Sequence, residues 1–167
     1  MRNYTGYGWE GKNYSENLST KDIAKIIRQR LKKEFPECKF SVRCRYFSGG
    51  SEITISLMES DFEVFNRDYR QNRNGRFYTE DDYKYTQLNH YVFLRHGFDD
   101  VDGYNNGMYL TRKAWNVLKR VVEMANGYRY DDSDAQIDYF DTNFYLDLEI
   151  GKWDKPFKVL KDKRGLE

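Results

Sequence analysis

The chain has 167 residues, 33% of them charged, and its 28 Lys and Arg against 27 Asp and Glu leave a net charge of +1. This length points to one domain with a sizeable core, and the near-neutral total neither favours nor disfavours a polyanionic partner. No apolar run approaches the roughly 18 residues that a membrane helix needs, and Met1-Arg2-Asn3-Tyr4 opens no signal peptide, so a soluble cytoplasmic protein is expected.

Charge is unevenly spread. Residues 1–60 carry 11 basic and 7 acidic side chains, residues 61–98 carry 6 of each, residues 99–150 carry 5 and 11, and residues 151–167 carry 6 and 3. A basic front, an acidic later section and a basic tail can orient binding to a charged partner. Cys38 and Cys44 fall six apart on one strand, roughly 20 Å along an extended chain, which is too far for a disulfide. They read as reduced, buried small hydrophobes. The 15 Tyr and 11 Phe beside only 2 Pro suit core edges, protein interfaces or base stacking.

Residues 1–17, rich in Gly, Asn and Tyr, read as a flexible N-terminal arm, pinned at Tyr7 or Trp9. A helix then begins at Ser19, an N-cap residue. Asp22 favours the helix dipole, and Leu18 and Ile23 stand at hydrophobic-staple spacing. Ile23, Ile26, Ile27, Leu31 and Phe35 make an apolar stripe at helical spacing; Lys21, Lys25, Arg28, Lys32 and Lys33 crowd the remaining surface, and Pro36 ends the helix.

The stretch Glu37–Met58 alternates strictly between apolar and polar residues on both sides of Ser48-Gly49-Gly50-Ser51, the pattern of a β-hairpin. One face collects Cys38, Phe40, Val42, Cys44 and Tyr46 with Ile53, Ile55 and Leu57. The other collects Lys39, Ser41, Arg43 and Arg45 opposite Glu52, Thr54 and Ser56. The helix stripe is the natural cover for the apolar face.

Residues 59–78 carry a weak pattern ending in the polar, basic run Arg70–Arg76, expected as a mobile loop. Thr79 is placed to cap a helix at Glu80-Asp81-Asp82, and an apolar segment follows at Tyr91–Leu94. A turn-rich connection runs through Gly107. Thr111 opens a second clear helix, lined by Ala114, Trp115, Leu118, Val121, Val122 and Ala125 and ended by Asn126-Gly127. After an acidic stretch, Phe144, Leu146, Leu148 and Ile150 alternate inward along a strand. The expected architecture is α+β: a single compact domain over residues 18–160, an antiparallel sheet with helices packed on one face, and a basic frayed tail at 161–167.

Several sites are candidates for chemistry. Lys39, Arg43 and Arg45 lie on one strand face about 7 Å apart, suited to phosphates or carboxylates. The turn Ser48, Gly49, Gly50 can present bare backbone amides to an anion. Arg70, Arg73 and Arg76 add a basic loop. Tyr130, Asp131 and Asp132, with Tyr128, Asp134, Asp138, Tyr139 and Asp141, form an acidic-aromatic tract able to compete for a basic channel on another protein. Solvated faces with internal pairing, such as Arg43 or Arg45 to Glu52, are the alternative for each. His90 and His96 with Asp99, Asp100 and Asp102 show no recognised metal-ligand spacing. No nucleophile elbow, P-loop, CxxC pair or dinucleotide glycine pattern occurs, and no cofactor is implied.

The helix ending Lys33-Glu34-Phe35-Pro36, the strand Lys39-Phe40-Ser41-Val42-Arg43 and the turn Ser48-Gly49-Gly50-Ser51 followed by Ile53 together resemble a large polyvalent-protein-associated domain, a module of giant proteins of phages and conjugative elements. The resemblance implies provenance in a mobile element, where such modules accompany DNA entry and counter host defence; the family offers no catalytic residues to transfer. The expected function is therefore non-catalytic binding to host nucleic-acid-processing machinery, a protein or ribonucleoprotein. It would serve as a counter-defence inhibitor of anti-restriction or anti-CRISPR type, or as an accessory factor. Direct DNA or RNA binding is the alternative, and a metal-dependent nuclease the second; no membrane partner is expected.

Overall fold

The computed structural model describes residues 3–71, 75–99 and 109–160. Helix α1 (Thr20–Glu34) starts where its cap residues dictate. The Ser19 hydroxyl accepts the Asp22 amide at 3.1 Å, and the Asp22 carboxylate accepts the Ser19 amide at 3.0 Å, a reciprocal capping box. The helix buries Thr20, Ile23, Ala24, Ile27 and Leu31. Burial of each large aliphatic stabilises by about 1.5–3 kcal/mol. Ile26 and Phe35, at the edges of the predicted stripe, are only half-buried. Phe35 is the C-cap, its amide donating to the Leu31 carbonyl at 2.9 Å before Pro36 turns the chain away.

Strands β2 (Cys38–Phe47) and β3 (Gly50–Ser60) form the hairpin. Strand β1 (Trp9–Glu10) belongs to the N-terminal arm. Val42 stands opposite Ile55 and Cys44 opposite Ile53, while Arg43 stands opposite Thr54 and Arg45 opposite Glu52. Both predicted faces are therefore correct. The turn is closed by Gly49 at φ +96°, a backbone conformation that glycine adopts without steric cost. A bulge between Lys39 and Phe40 shifts the register by one, so that Phe40 pairs with Leu57. Met58 falls in this irregularity and is buried. A buried hydrogen bond of 2.6 Å between the Thr20 and Ser51 hydroxyls ties the start of α1 to the hairpin.

The Thr79 cap is present: its amide donates to the Asp82 carboxylate at 2.7 Å and opens a 3-10 turn at Glu80–Tyr83. Short strand β4 (Thr86–Leu88) and the single-turn helix α2 (Val92–Arg95) follow. Helix α3 (Arg112–Asn126), capped by Thr111, buries Ala114, Trp115, Val117, Leu118, Val121, Val122, Met124 and Ala125. It packs against α1 and α2. Strands β5 (Tyr130–Asp131), β6 (Tyr145–Ile150) and β7 (Lys158–Val159) complete the fold.

The α+β class stands, with one correction to the sheet. Its order is β2-β3-β6-β4, and β6 runs parallel to β3, with Thr54 opposite Asp147 and Ser56 opposite Glu149. Parallel pairing needs a long crossover, and the chain through β4, α2 and α3 supplies it. The sheet is therefore mixed rather than antiparallel throughout. Phe144, Leu146, Leu148 and Ile150 point inward as expected. Helix α1 covers the apolar face of the hairpin, and β2 is an edge strand.

The N-terminal arm is tied down, although not at Tyr7, which is exposed. Strand β1 pairs with β5, Trp9 opposite Asp131. The Gly11 amide donates to the Arg129 carbonyl at 2.7 Å. A side chain at Gly11 would run into the carbonyls of Asn126 and Gly127, so this close approach requires glycine. Residues 161–167, expected as a frayed tail, lie outside the described residues.

Candidate polyanion-binding groove

The outer face of the sheet carries three cross-strand rows. Arg45, Glu52 and Tyr145 form the first; Arg43, Thr54 and Asp147 the second; Ser41, Ser56, Glu149 and Gln87 the third. Arg43 and Arg45 are exposed there as the alternation requires, but both are engaged. Arg43 Nη2 donates to Glu149 Oε1 at 2.6 Å, and the Ser56 hydroxyl donates to the same oxygen at 2.5 Å. Arg45 Nε donates to Glu52 Oε1 at 2.8 Å. That bond leads the effects holding the Glu52 carboxyl below its usual range. Burial, reinforced by the neighbouring Glu52 charge, raises the Asp147 carboxyl. The outer face is thus a ladder of mixed charge. The pairing of Arg45 with Glu52 is the hairpin alternative that the alternation offered, whereas the neutralisation of Arg43 was not legible, because Glu149 arrives on β6 from some ninety residues beyond β3.

The concentrated positive charge lies around the edge of β2 instead. Lys21, Lys25, Arg28 and Lys32 recur at i, i+4, i+7 and i+11, which aligns them along one flank of α1. The apolar stripe of α1 packs on β2, so this flank runs beside the unpaired strand edge. Lys21, Lys25, Arg28, Arg43 and Tyr46 line a groove of about 900 Å³. Arg28, Lys32, Lys39 and Phe40 line its continuation toward Cys38. Six cations line the two stretches, Arg43 among them already paired with Glu149, and the one carboxylate in the lining, Asp22, caps the helix. Arg28 Nη2 donates to the Val42 carbonyl at 2.7 Å, which fixes that wall by satisfying an edge acceptor. The Tyr46 hydroxyl accepts the Lys21 amide at 3.1 Å and closes the far end. Burial pushes the Cys38 thiol up to about 12 and raises Cys44 as well. Both shifts favour the neutral thiol over the thiolate.

Of the predicted contacts, Lys39 and Arg43 therefore fall on the groove, and Arg45 lies on the outer face. Ser48 and Gly49 sit on the exposed tip, and Gly50 starts β3. Arg70 and Arg76 form no part of the groove walls; Arg76 donates to the Asp82 carboxylate at 3.2 Å. Arg73 lies outside the described residues. Lys21, Lys25 and Lys32 were legible as a helix flank but not assigned a role, because only the placement of α1 on an edge strand turns that flank into a groove wall.

The acidic-aromatic tract is largely spent on the fold. Asp132 is buried rather than presented: its carboxylate accepts the Tyr4 amide at 2.6 Å and the Thr5 amide and hydroxyl at 3.1 and 2.6 Å. Asp131 pairs with the buried Arg129 at 2.9 Å. The Tyr130 hydroxyl donates to Asp141 at 2.6 Å, and its ring packs edge-on against Tyr14. His90 is buried, and burial together with the Arg129 and Arg95 charges lowers its pKa to about 4. Among the described residues no group of three His, Cys, Asp or Glu could hold a metal ion; Asp100 and Asp102 lie outside them.

Fold and groove together define a small α+β domain with a basic cleft beside an open strand edge. Residues 18–144 match the family model described as Large polyvalent protein associated domain 29. The chain belongs to this family, which suggests association with the polyvalent proteins of phages or mobile elements. The match runs from the residue preceding the Ser19 cap, through the hairpin and α3, to Phe144 at the entrance to β6. No curated protein matches, and no solved structure does. No described helix is long and apolar enough to cross a membrane.

Proposed function

We propose that this chain is a non-catalytic nucleic-acid-binding domain of a phage or mobile-element protein, which acts on host nucleic-acid-processing machinery through the α1–β2 groove. The observation that carries this reading is the alignment of Lys21, Lys25, Arg28, Lys32 and Lys39 along one cleft, where Asp22, already committed as the helix cap, is the one carboxylate among the lining residues. Phosphates are the multivalent anions that such a row of Lys and Arg complements. A counter-defence role, of anti-restriction or anti-CRISPR type, or an accessory role in DNA entry fits a mobile-element protein that grips nucleic acid. Its contact would then be with a ribonucleoprotein or a protein already on DNA.

Fluorescence anisotropy with labelled oligonucleotides across a salt series tests the groove. Each phosphate neutralised contributes a slope of about −0.7 in log K against log salt for a single strand. The triple variant Lys21→Ala/Lys25→Ala/Lys32→Ala, which removes three exposed side chains from the helix flank, is expected to flatten the slope by about 2. Failure to bind any nucleic acid at low salt would remove the reading. A tagged pull-down from host lysate, with and without nuclease, separates a protein target from a nucleic-acid-bridged one.

A further inference from the structure

Resting on that reading, we infer that the ligand is single-stranded nucleic acid, its phosphates in the α1–β2 groove and a base stacked at the hairpin tip on the Phe47–Tyr145 pair. The groove is the cleft between a helix and the strand it packs on, walled by cations on both sides. One backbone can lie along it. A duplex holds its two backbones apart across grooves about 12 and 6 Å wide and would only meet the rim. The α1 cations advance by about 6, 4.5 and 6 Å along the helix axis, a row that tracks one extended backbone.

Where the groove ends at Tyr46, the aromatic surface begins. Phe47, the next residue, lies on the other face of β2. Its ring is stacked with Tyr145 at 6.1 Å between centroids and 28° between planes. The Arg45 guanidinium stands 5.4 Å from the centre of the Phe47 ring. Phe47 remains 37% exposed and Tyr46 59% exposed. A flat aromatic pair with a guanidinium over one ring, one residue along the edge strand from the Tyr46 end of the cleft and on that strand's other face, is a stacking platform tolerant of base identity. An acidic peptide would satisfy the cations without using this platform.

The test uses the full chain and four ligands: a labelled octanucleotide, its blunt duplex, an abasic strand with the same number of phosphates, and poly-L-glutamate. The single strand is expected to bind at least tenfold more tightly than each of the others. Phe47→Leu/Tyr145→Leu should weaken single-strand binding about tenfold while leaving the salt slope and abasic binding unchanged. Phe47→Leu alone, at the exposed tip, serves if the double variant is unstable, with a smaller loss expected. Equal affinity for the duplex or the abasic strand would overturn the single-strand inference and leave the groove reading intact. Poly-L-glutamate binding as tightly as the octanucleotide, or no nucleic-acid binding at low salt, would overturn both.

Discussion

His90 and Asp132 show how single side chains set the pH range of this fold. His90 is buried, and its Nδ1 has no hydrogen-bond partner in the structure. Its pKa of about 4 lies below the unfolded value of about 6.5. The neutral imidazole is therefore fully compatible with folding above pH 6.5, and stability falls as pH drops from there through 4. The loss attributable to this group is on the order of 3 kcal/mol. Urea melts between pH 7 and pH 4 should show a steeper fall for the native chain than for His90→Gln, which has no group to protonate. Asp132 acts through the arm. Its hydrogen bonds with the Thr5 hydroxyl and the Tyr4 and Thr5 amides keep its carboxyl below the usual range. That contribution is present above the unfolded carboxylate pKa and lost as pH falls through the lowered value. Asp132→Asn is expected to release residues 3–10, detected as faster trypsin cleavage after Lys12 and faster amide exchange at Tyr4 and Thr5. Unchanged protection would show that the β1–β5 pairing alone holds the arm.

At the scale of elements, the hairpin and β6 share one charge network. Glu149 is 7% exposed and depends on Arg43 and Ser56. Removing one partner of a buried polar group leaves it unsatisfied. Arg43→Ala is therefore expected to cost about 1–3 kcal/mol in a denaturant melt, with Arg43→Ala/Glu149→Gln recovering part of the loss. A full loss in the double variant would show that Arg43 acts by packing. Arg43 is thus a poor residue for testing binding, since its removal changes the sheet as well as the groove.

The hairpin, both long helices and their caps were legible because each is specified locally: alternation, a glycine turn, Ser19 with Asp22, Thr111 with Ala114. The partner of β3 was not legible. The inward alternation of Phe144 to Ile150 identifies a strand but leaves open which neighbour it joins and in which direction. From that missing adjacency follow the mixed sheet and the neutralised Arg43. The engagement of the acidic tract in the fold was hidden for a related reason. Composition describes a solvated surface equally well whether or not an arm from residues 3–11 lies on it.

For the whole molecule, the near-zero net charge hides a division of labour. Acidic side chains are consumed as caps, arm clamps and sheet pairings, as Asp22, Asp132 and Glu149 show, while the α1 flank keeps its lysines exposed. Folding this arrangement has its own demand. The parallel pairing of β3 with β6 joins Glu52 to Tyr145 and Leu57 to Ile150, so the centre of the sheet closes only after some ninety residues have been brought together, a non-local contact of the kind that slows folding. During synthesis the helix and hairpin can assemble early, but the inner border of β3 stays bare until the last part of the domain leaves the ribosome. Any slowdown in translation between them prolongs the time in which that border can be captured by a neighbouring nascent chain.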